Sequence, residues 1–300
     1  MTEAPISNIS HASTEDGAGL RTVVFLAGCN MNCLWCHNPE SISHAPRLMI
    51  YSEKCIGCLE CSNLNCPAMP RGAASYEASL CRACGECEAL CLGDAIRLSS
   101  RKMSAEEVFS EVLRDAPFYK FSGGGLTLSG GECLLYPDFA EEILTRSRTS
   151  GISTCIETAL FVPRENIERV IGLVDKLFID LKLFDCEEHK KYTGVSNRRI
   201  LENAKWILEA HKDVTVRVPL IPRVTDTEKN LRDIAAFLSS VDTAMKRELE
   251  LLRYNPLAEA KYEALGKKHR LFGEAHSDAR LRELADGLSE AFPNLTVKYR

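Results

Sequence analysis

Cys29, Cys33 and Cys36 lie in the run GCNMNCLWCHNPE with the spacing C-x3-C-x2-C, and no fourth cysteine follows close by. Thiolates are soft donors that suit iron–sulfur clusters and zinc. Three of them on a four-iron cluster leave one iron open, and an open coordination position is where a metal site does chemistry. The alternative is a structural zinc site of three cysteines completed by His37.

The chain has 14 cysteines, and eleven of them fall between Cys29 and Cys91, leaving Cys133, Cys155 and Cys186 scattered. Clustering at short spacings in a 300-residue chain argues for metal rather than disulfides. Residues 48–98 carry two repeats, Cys55-x2-Cys58-x2-Cys61-x4-Cys66-Pro67 and Cys81-x2-Cys84-x2-Cys87-x3-Cys91. This run is close to that of bacterial two-cluster ferredoxins, in which each fourth cysteine serves the other cluster. By that rule Cys55, Cys58, Cys61 and Cys91 hold one [4Fe–4S] cluster, and Cys81, Cys84, Cys87 and Cys66 hold the second. The x4 gap before Cys66, where three is usual, needs a one-residue bulge. So short a module cannot fold on apolar burial alone, so bound metal must supply the folding energy. Two zinc sites are the other reading.

The elements that must position the first three cysteines alternate between strand and helix. Apolar and β-branched runs predict strands at 21–27, 126–129, 153–157, 176–181, 214–219 and 248–253. Ser104 and Glu107 form a capping box that starts a helix, and further helices are expected at 137–149, 164–173, 198–210, 227–239 and 278–291. Strand-then-helix units build a parallel sheet, either a barrel of the TIM type or an open doubly wound sheet, with functional groups at the C-terminal ends of the strands. Cys29, Gly130-Gly131-Glu132, Glu157, Asp180 with Lys182, and Arg217 all fall at those ends. Six such strands make a partial (β/α)6 barrel, so the expected organisation is residues 1–47 and 99–300 as that barrel and 48–98 as an insert.

Composition narrows the function class. With 45% hydrophobic and 26% charged residues the chain reads as globular. A net charge of −5 with no basic run gives no reason for nucleic acid or an anionic membrane to bind. No apolar stretch spans a bilayer and the first residues do not resemble a signal peptide, so a cytoplasmic location is expected.

The three-cysteine run, with aromatic Trp35 before its last cysteine, resembles the signature of the radical S-adenosylmethionine (SAM) superfamily. EDGAGLRTVVFLAGC, NPES, FSGGGLTLSGGE, IET, DLKLFD, YTGVSN and RVPLIPRVTDTEKN follow the order seen in its glycyl-radical-enzyme activating enzymes, from about residue 14 to residue 265. The resemblance is to the subgroup that bears a ferredoxin-like insert. It implies three [4Fe–4S] clusters, the one on Cys29, Cys33 and Cys36 chelating SAM through its open iron. One electron then splits SAM into methionine and a 5′-deoxyadenosyl radical, which takes a hydrogen atom from a glycine of a partner enzyme.

The resemblance also implies site roles. Trp35 and His37 would border the adenine. Gly130, Gly131 and Glu132, the GGE motif, would receive the methionine ammonium. Glu157, Asp180 and Lys182 would touch ribose or methionine, and Arg217 would lie near the cofactor. Glu157, Thr158 and Asp180 could hold a monovalent cation. Read from the residues alone, Asp180–Lys182 could be a strand-end ion pair and Arg217 a surface cation. The implied partners are a glycyl radical enzyme and flavodoxin or ferredoxin as electron donor, with the protein acting as a monomer. Departures from the family pattern are Ala18 for proline, Cys133 for proline, Leu160 for glycine, and Asn255 for a histidine after Tyr254. Cys133, Cys155 and Cys186 are expected in the core. Competing functions are a radical SAM enzyme acting on a small molecule or peptide, and an electron carrier without catalysis.

Overall fold

The structure, a computed structural model, describes residues 2–210, 213–241 and 247–300. Its strands are β1 (Glu3–Ser13), β2 (Arg21–Leu26), β3 (Leu48–Ile50), β4 (Ile96–Leu98), β5 (Arg101–Ser104), β6 (Gly125–Gly130), β7 (Ser153–Thr158), β8 (Lys176–Asp180), β9 (Val214–Leu220), β10 (Arg247–Arg253) and β11 (Leu295–Tyr299). Its helices are α1 (Glu86–Ala89), α2 (Ala105–Arg114), α3 (Ala116–Ser122), α4 (Pro137–Thr149), α5 (Arg164–Ile171), α6 (Cys186–Thr193), α7 (Arg198–Ala210), α8 (Glu228–Ser240), α9 (Glu259–Ala264) and α10 (Asp278–Ala291).

Nine strands form one sheet in the order β11-β10-β9-β8-β7-β6-β2-β1-β5. The six expected strands stand side by side and parallel, and β11 extends them in parallel. The expectation of six strands is corrected at both edges. Besides β11, β1 pairs antiparallel with β2, and β5 pairs antiparallel with β1. The capping box expected at the start of α2 is present, with Ser104 accepting from the Glu107 N–H and Glu107 accepting in return from the Ser104 N–H.

Strand side chains alternate between the two faces of the sheet. One face carries Val24, Leu26, Leu126, Leu128, Ile156, Ile179, Val216, Val218, Leu249 and Leu251, all buried in the main core with Val112, Phe139, Ile143, Ile207, Ile234 and Leu281 of the helices. The other positions mix Val23, Phe25, Cys155 and Phe178 with Thr127, Ser129, Glu157, Asp180, Thr215, Arg217 and Glu250, the polar ones gathering toward the C-terminal ends. A parallel sheet covered on both faces reads as continuous apolar runs. Here the second face is mixed, and its polar end lines a cavity instead. Residues from the ends of six adjacent strands reach that cavity of about 370 Å³. Laid flat, six strands would span about 24 Å, far more than one such cavity bridges, so the sheet is curled around it.

Residues 48–98 stand apart from this sheet. β3 and β4 pair antiparallel, Leu48 opposite Leu98 and Ile50 opposite Ile96, and form their own two-stranded sheet. Between them lie short 3-10 turns and the single turn of α1. Their buried cluster is Leu48, Cys61, Met69, Cys87 and Ile96. Among the described residues no helix is long and apolar enough to cross a membrane.

Candidate active site

β2 delivers Cys29 three residues past its last residue, and the following loop carries Cys33 and Cys36 around the rim. Backbone bonds shape the loop. Gly28 N–H donates to Ser41 C=O (2.9 Å) and Cys29 N–H to Ile42 C=O (3.1 Å), while Asn32 and Leu34 donate to Thr193 and Tyr192 at the end of α6. The glycine pair ending β6 lies against the same segment. A Cβ on Gly130 would sit 2.2 Å from Leu26 C=O, and one on Gly131 would sit 2.3 Å from Gly28 C=O and 2.6 Å from Ser41 C=O. Both positions demand glycine for backbone packing, beyond any approach of a ligand.

Cys29, Cys33, Trp35, Cys36, His37, Gly130, Gly131, Glu157, Thr158, Asp180, Lys182 and Arg217 all line the cavity. Lys182 lies two residues past β8 and is largely buried, its Nζ 2.8 Å from Asp180 Oδ2. Burial opposes its charge, but Asp180 and the Cys33 thiol outweigh that and raise its pKa above the ordinary value. The two readings of this pair merge, since it is an ion pair and it faces the cavity. Arg217 is not a surface cation. It is buried with its guanidinium over the Phe178 ring, bound to Glu157 and, through Nε at 2.7 Å, to Glu250. Burial works against that charge too, and the two carboxylates overcome it. Glu157 completes its pairing with Ser129 Oγ at 2.7 Å.

One expectation changes. Glu132 does not line the cavity. Its carboxylate accepts from Thr158 Oγ1 (2.8 Å), Ala159 N–H (3.0 Å) and Leu134 N–H (3.2 Å), and so bolts the end of β6 to the end of β7. Burial pushes its pKa up, against those bonds. Glu157, Thr158 and Asp180 all line the cavity, but their side chains are committed differently. Glu157 and Thr158 are consecutive strand residues and point to opposite faces, and the Thr158 hydroxyl is spent on Glu132.

The departures from the family pattern have local explanations. Leu160 takes a left-handed φ of 60° and is fully buried, with its N–H held by Thr158 Oγ1 (2.9 Å) and its C=O by Asn203 (3.0 Å). Cys133 and Cys155 are buried as expected. Cys186 is not core: it opens α6, with Sγ 3.2 Å from Ser196 Oγ. Asn255 reaches the cavity rim, its Oδ1 accepting from Leu257 N–H.

The three thiols fit an iron–sulfur group. Burial pushes Cys29 up to about 11 and Cys33 up to about 12, and raises Cys36 as well, so a metal charge is needed to hold them as thiolates. Among the described residues no three Cys, His, Asp or Glu side chains close on a single-ion centre. The thiols instead line the cavity together with the charged pairs at the ends of β7, β8 and β9.

A family model described as the Radical SAM superfamily matches residues 23–235. The chain belongs to the radical SAM superfamily. It is 37% identical over 303 residues to the indoleacetate decarboxylase activating enzyme of Tractidigestivibacter scatoligenes, covering 95% of this chain and 94% of that one. It is 38% identical over 282 residues to the (2S)-3-sulfopropanediol dehydratase activating enzyme of Klebsiella oxytoca, covering 90% and 89%. Among solved structures, Streptococcus suis SuiB bound to precursor peptide SuiA aligns with a TM-score of 0.51 at 16% identity, over 67% of this chain and 43% of that one, a likeness of fold alone. The protein is thus a radical SAM activating enzyme.

Several residues of this radical SAM site escaped sequence reasoning. Glu250 neutralises Arg217 from β10, and its signal is the alternation of glutamate with leucine in ELELL, which puts Glu248 and Glu250 on one face of the strand. Asp16, Ser129, Tyr254 and Arg300 also line the cavity. Asp16 lay in the quoted EDGAGL motif, whereas Arg300 carries no local signal.

Proposed function

We propose that this activating enzyme installs a glycyl radical in a partner enzyme, using a [4Fe–4S] cluster on Cys29, Cys33 and Cys36 with SAM bound beside it. When bound, these groups supply one-electron cleavage of SAM to methionine and a 5′-deoxyadenosyl radical that takes a hydrogen atom from a partner glycine. The chain's residues bind, orient and exclude water. Lys182 is the cation for the methionine carboxylate, and Asp180 accepts from the ammonium. Trp35 and His37 border the adenine, and Arg217 holds Glu157 in place toward the ribose.

The observation that carries the reading is one cavity lined both by three thiols and by two pairs of opposite charge. That arrangement suits a zwitterion bearing a positive sulfur. The names of the relatives, activating enzymes of a decarboxylase and a dehydratase, support a partner enzyme of that general kind.

We assign residues 48–98 as a ferredoxin-like insert in the partial barrel of 1–47 and 99–300. It holds two further clusters, on Cys55, Cys58, Cys61 and Cys91 and on Cys81, Cys84, Cys87 and Cys66, with flavodoxin or ferredoxin as donor. Support comes from N–H···S bonds that stabilise thiolates, Ala83 to Cys81 at 3.4 Å and Ala95 to Cys91 at 3.2 Å. The test is anaerobic mixing of reconstituted protein, SAM, reductant and glycyl radical enzymes encoded beside it. A doublet EPR signal on the partner is expected, absent with Cys33→Ala. SAM cleavage without any partner radical would contradict the proposal.

A further inference from the structure

The three cysteines are anchored differently. Cys29 is held through its own N–H by Ile42, and Cys33 is bracketed by Asn32 and Leu34, whose N–H groups bond the end of α6. All of these are backbone bonds. The Cys36 end of the loop is held by side chains from more than 220 residues away. Tyr262 of α9 donates from its hydroxyl to Cys36 C=O at 3.0 Å, and the adjacent Lys261 donates to Asn38 Oδ1 at 2.7 Å and Glu40 Oε1 at 2.8 Å. Tyr262 is buried, and its ring lies 5.0 Å from that of His269. The same short helix packs against both β3 and the turn at Pro39–Ser41. It is therefore wedged between the base of segment 48–98 and the cysteine loop.

We propose that Tyr262 and Lys261 form a clamp that positions the third cysteine, so that Tyr262 sets how the three-cysteine cluster receives SAM, an inference that rests on the cluster assignment above. A carbonyl next to a ligand sulfur moves that sulfur when it turns. The backbone N–H groups at Cys29 and around Cys33 bond residues outside the run, whereas Cys36 N–H bonds only Cys33 C=O within it (3.1 Å), so error in the loop collects at Cys36. The clamp limits that error from a surface that also touches the insert.

Removing Lys261 would leave the carboxylate of Glu40, one of whose oxygens is already buried without a partner, lacking its cation and could unfold the loop. Tyr262→Phe is the cleaner variant, because it keeps the ring and deletes only the bond. Tyr299→Phe, which loses an exposed bond to Arg282 of α10 and whose side chain packs on the main core, is the control. The measurements on reconstituted protein are iron content, the change in the EPR spectrum of the reduced clusters on adding SAM, and KM and kcat for SAM cleavage.

For Tyr262→Phe we expect parental iron content, an altered SAM-induced spectral change and a rise in KM of about three- to tenfold, the size of one net hydrogen bond. Tyr299→Phe should match the parent. A parent that responds to SAM alongside a Tyr262→Phe protein with the same spectrum and KM overturns the clamp alone. A parent whose clusters ignore SAM overturns the cluster assignment and the clamp with it.

Discussion

The curled sheet and segment 48–98 both gather cysteines, but they do so by opposite means. In the sheet, an apolar face packed under helices carries the folding energy, and the mixed face is left free to line a cavity. Cys29, Cys33 and Cys36 sit on a loop tied down by hydrogen bonds that need no metal. In segment 48–98 the buried cluster has five side chains, and two of them are the cysteines Cys61 and Cys87. Its bulky apolar residues Ile56, Leu59, Leu80 and Leu92 are exposed rather than packed. The lesson is that one region builds its site on a packed core, while the other has almost no core of its own, as expected of a module that folds around bound metal.

The largest expected effect tests the claim that the sheet carries its own polar site. Arg217→Met would leave Glu157 buried without its cation and Glu250 with Arg300 alone. Breaking such a pair costs roughly 3–5 kcal/mol, a fall on the order of 10 °C in the thermal midpoint of a domain this size. SAM cleavage should also be lost, while the iron of segment 48–98 is retained. A midpoint within about 2 °C of the parent would mean that the sheet does not depend on this network.

A smaller effect concerns the sheet's outer edge. Hydrogen bonds from Thr2, with help from Arg146, depress the Glu142 pKa from 4.5 to about 2 and tie the start of β1 to α4. A depressed carboxylate stabilises the fold above its unfolded pKa, and that contribution fades as pH falls from 4.5 towards 2. Glu142→Gln should therefore lie slightly below the parent in thermal midpoint at pH 7, with the gap closing as the pH falls through this window. A gap that stays constant with pH would show that the tether does not depend on the charge of Glu142.

The two regions also differed in how far the sequence revealed them. The parallel strands were legible because β-branched runs ended in glycine or charged residues at regular intervals, and the cysteine repeats were legible from spacing. β1 was not, because its half-exposed face carries serine, asparagine and histidine instead of an apolar alternation. A motif names a residue without its direction, so Glu132 read as a ligand group although it points into the junction of β6 and β7. Glu250, Tyr262 and Lys261 act across long sequence separations, and no local pattern announces such contacts.

The contrast between the regions is tested most directly by removing iron from the reconstituted protein with a chelator and following hydrogen exchange peptide by peptide. The account predicts that amides across 51–95 lose their protection, while those of β6, β7, β8 and β9 keep theirs. Protection retained across 51–95 without metal, or lost in both regions together, would contradict it.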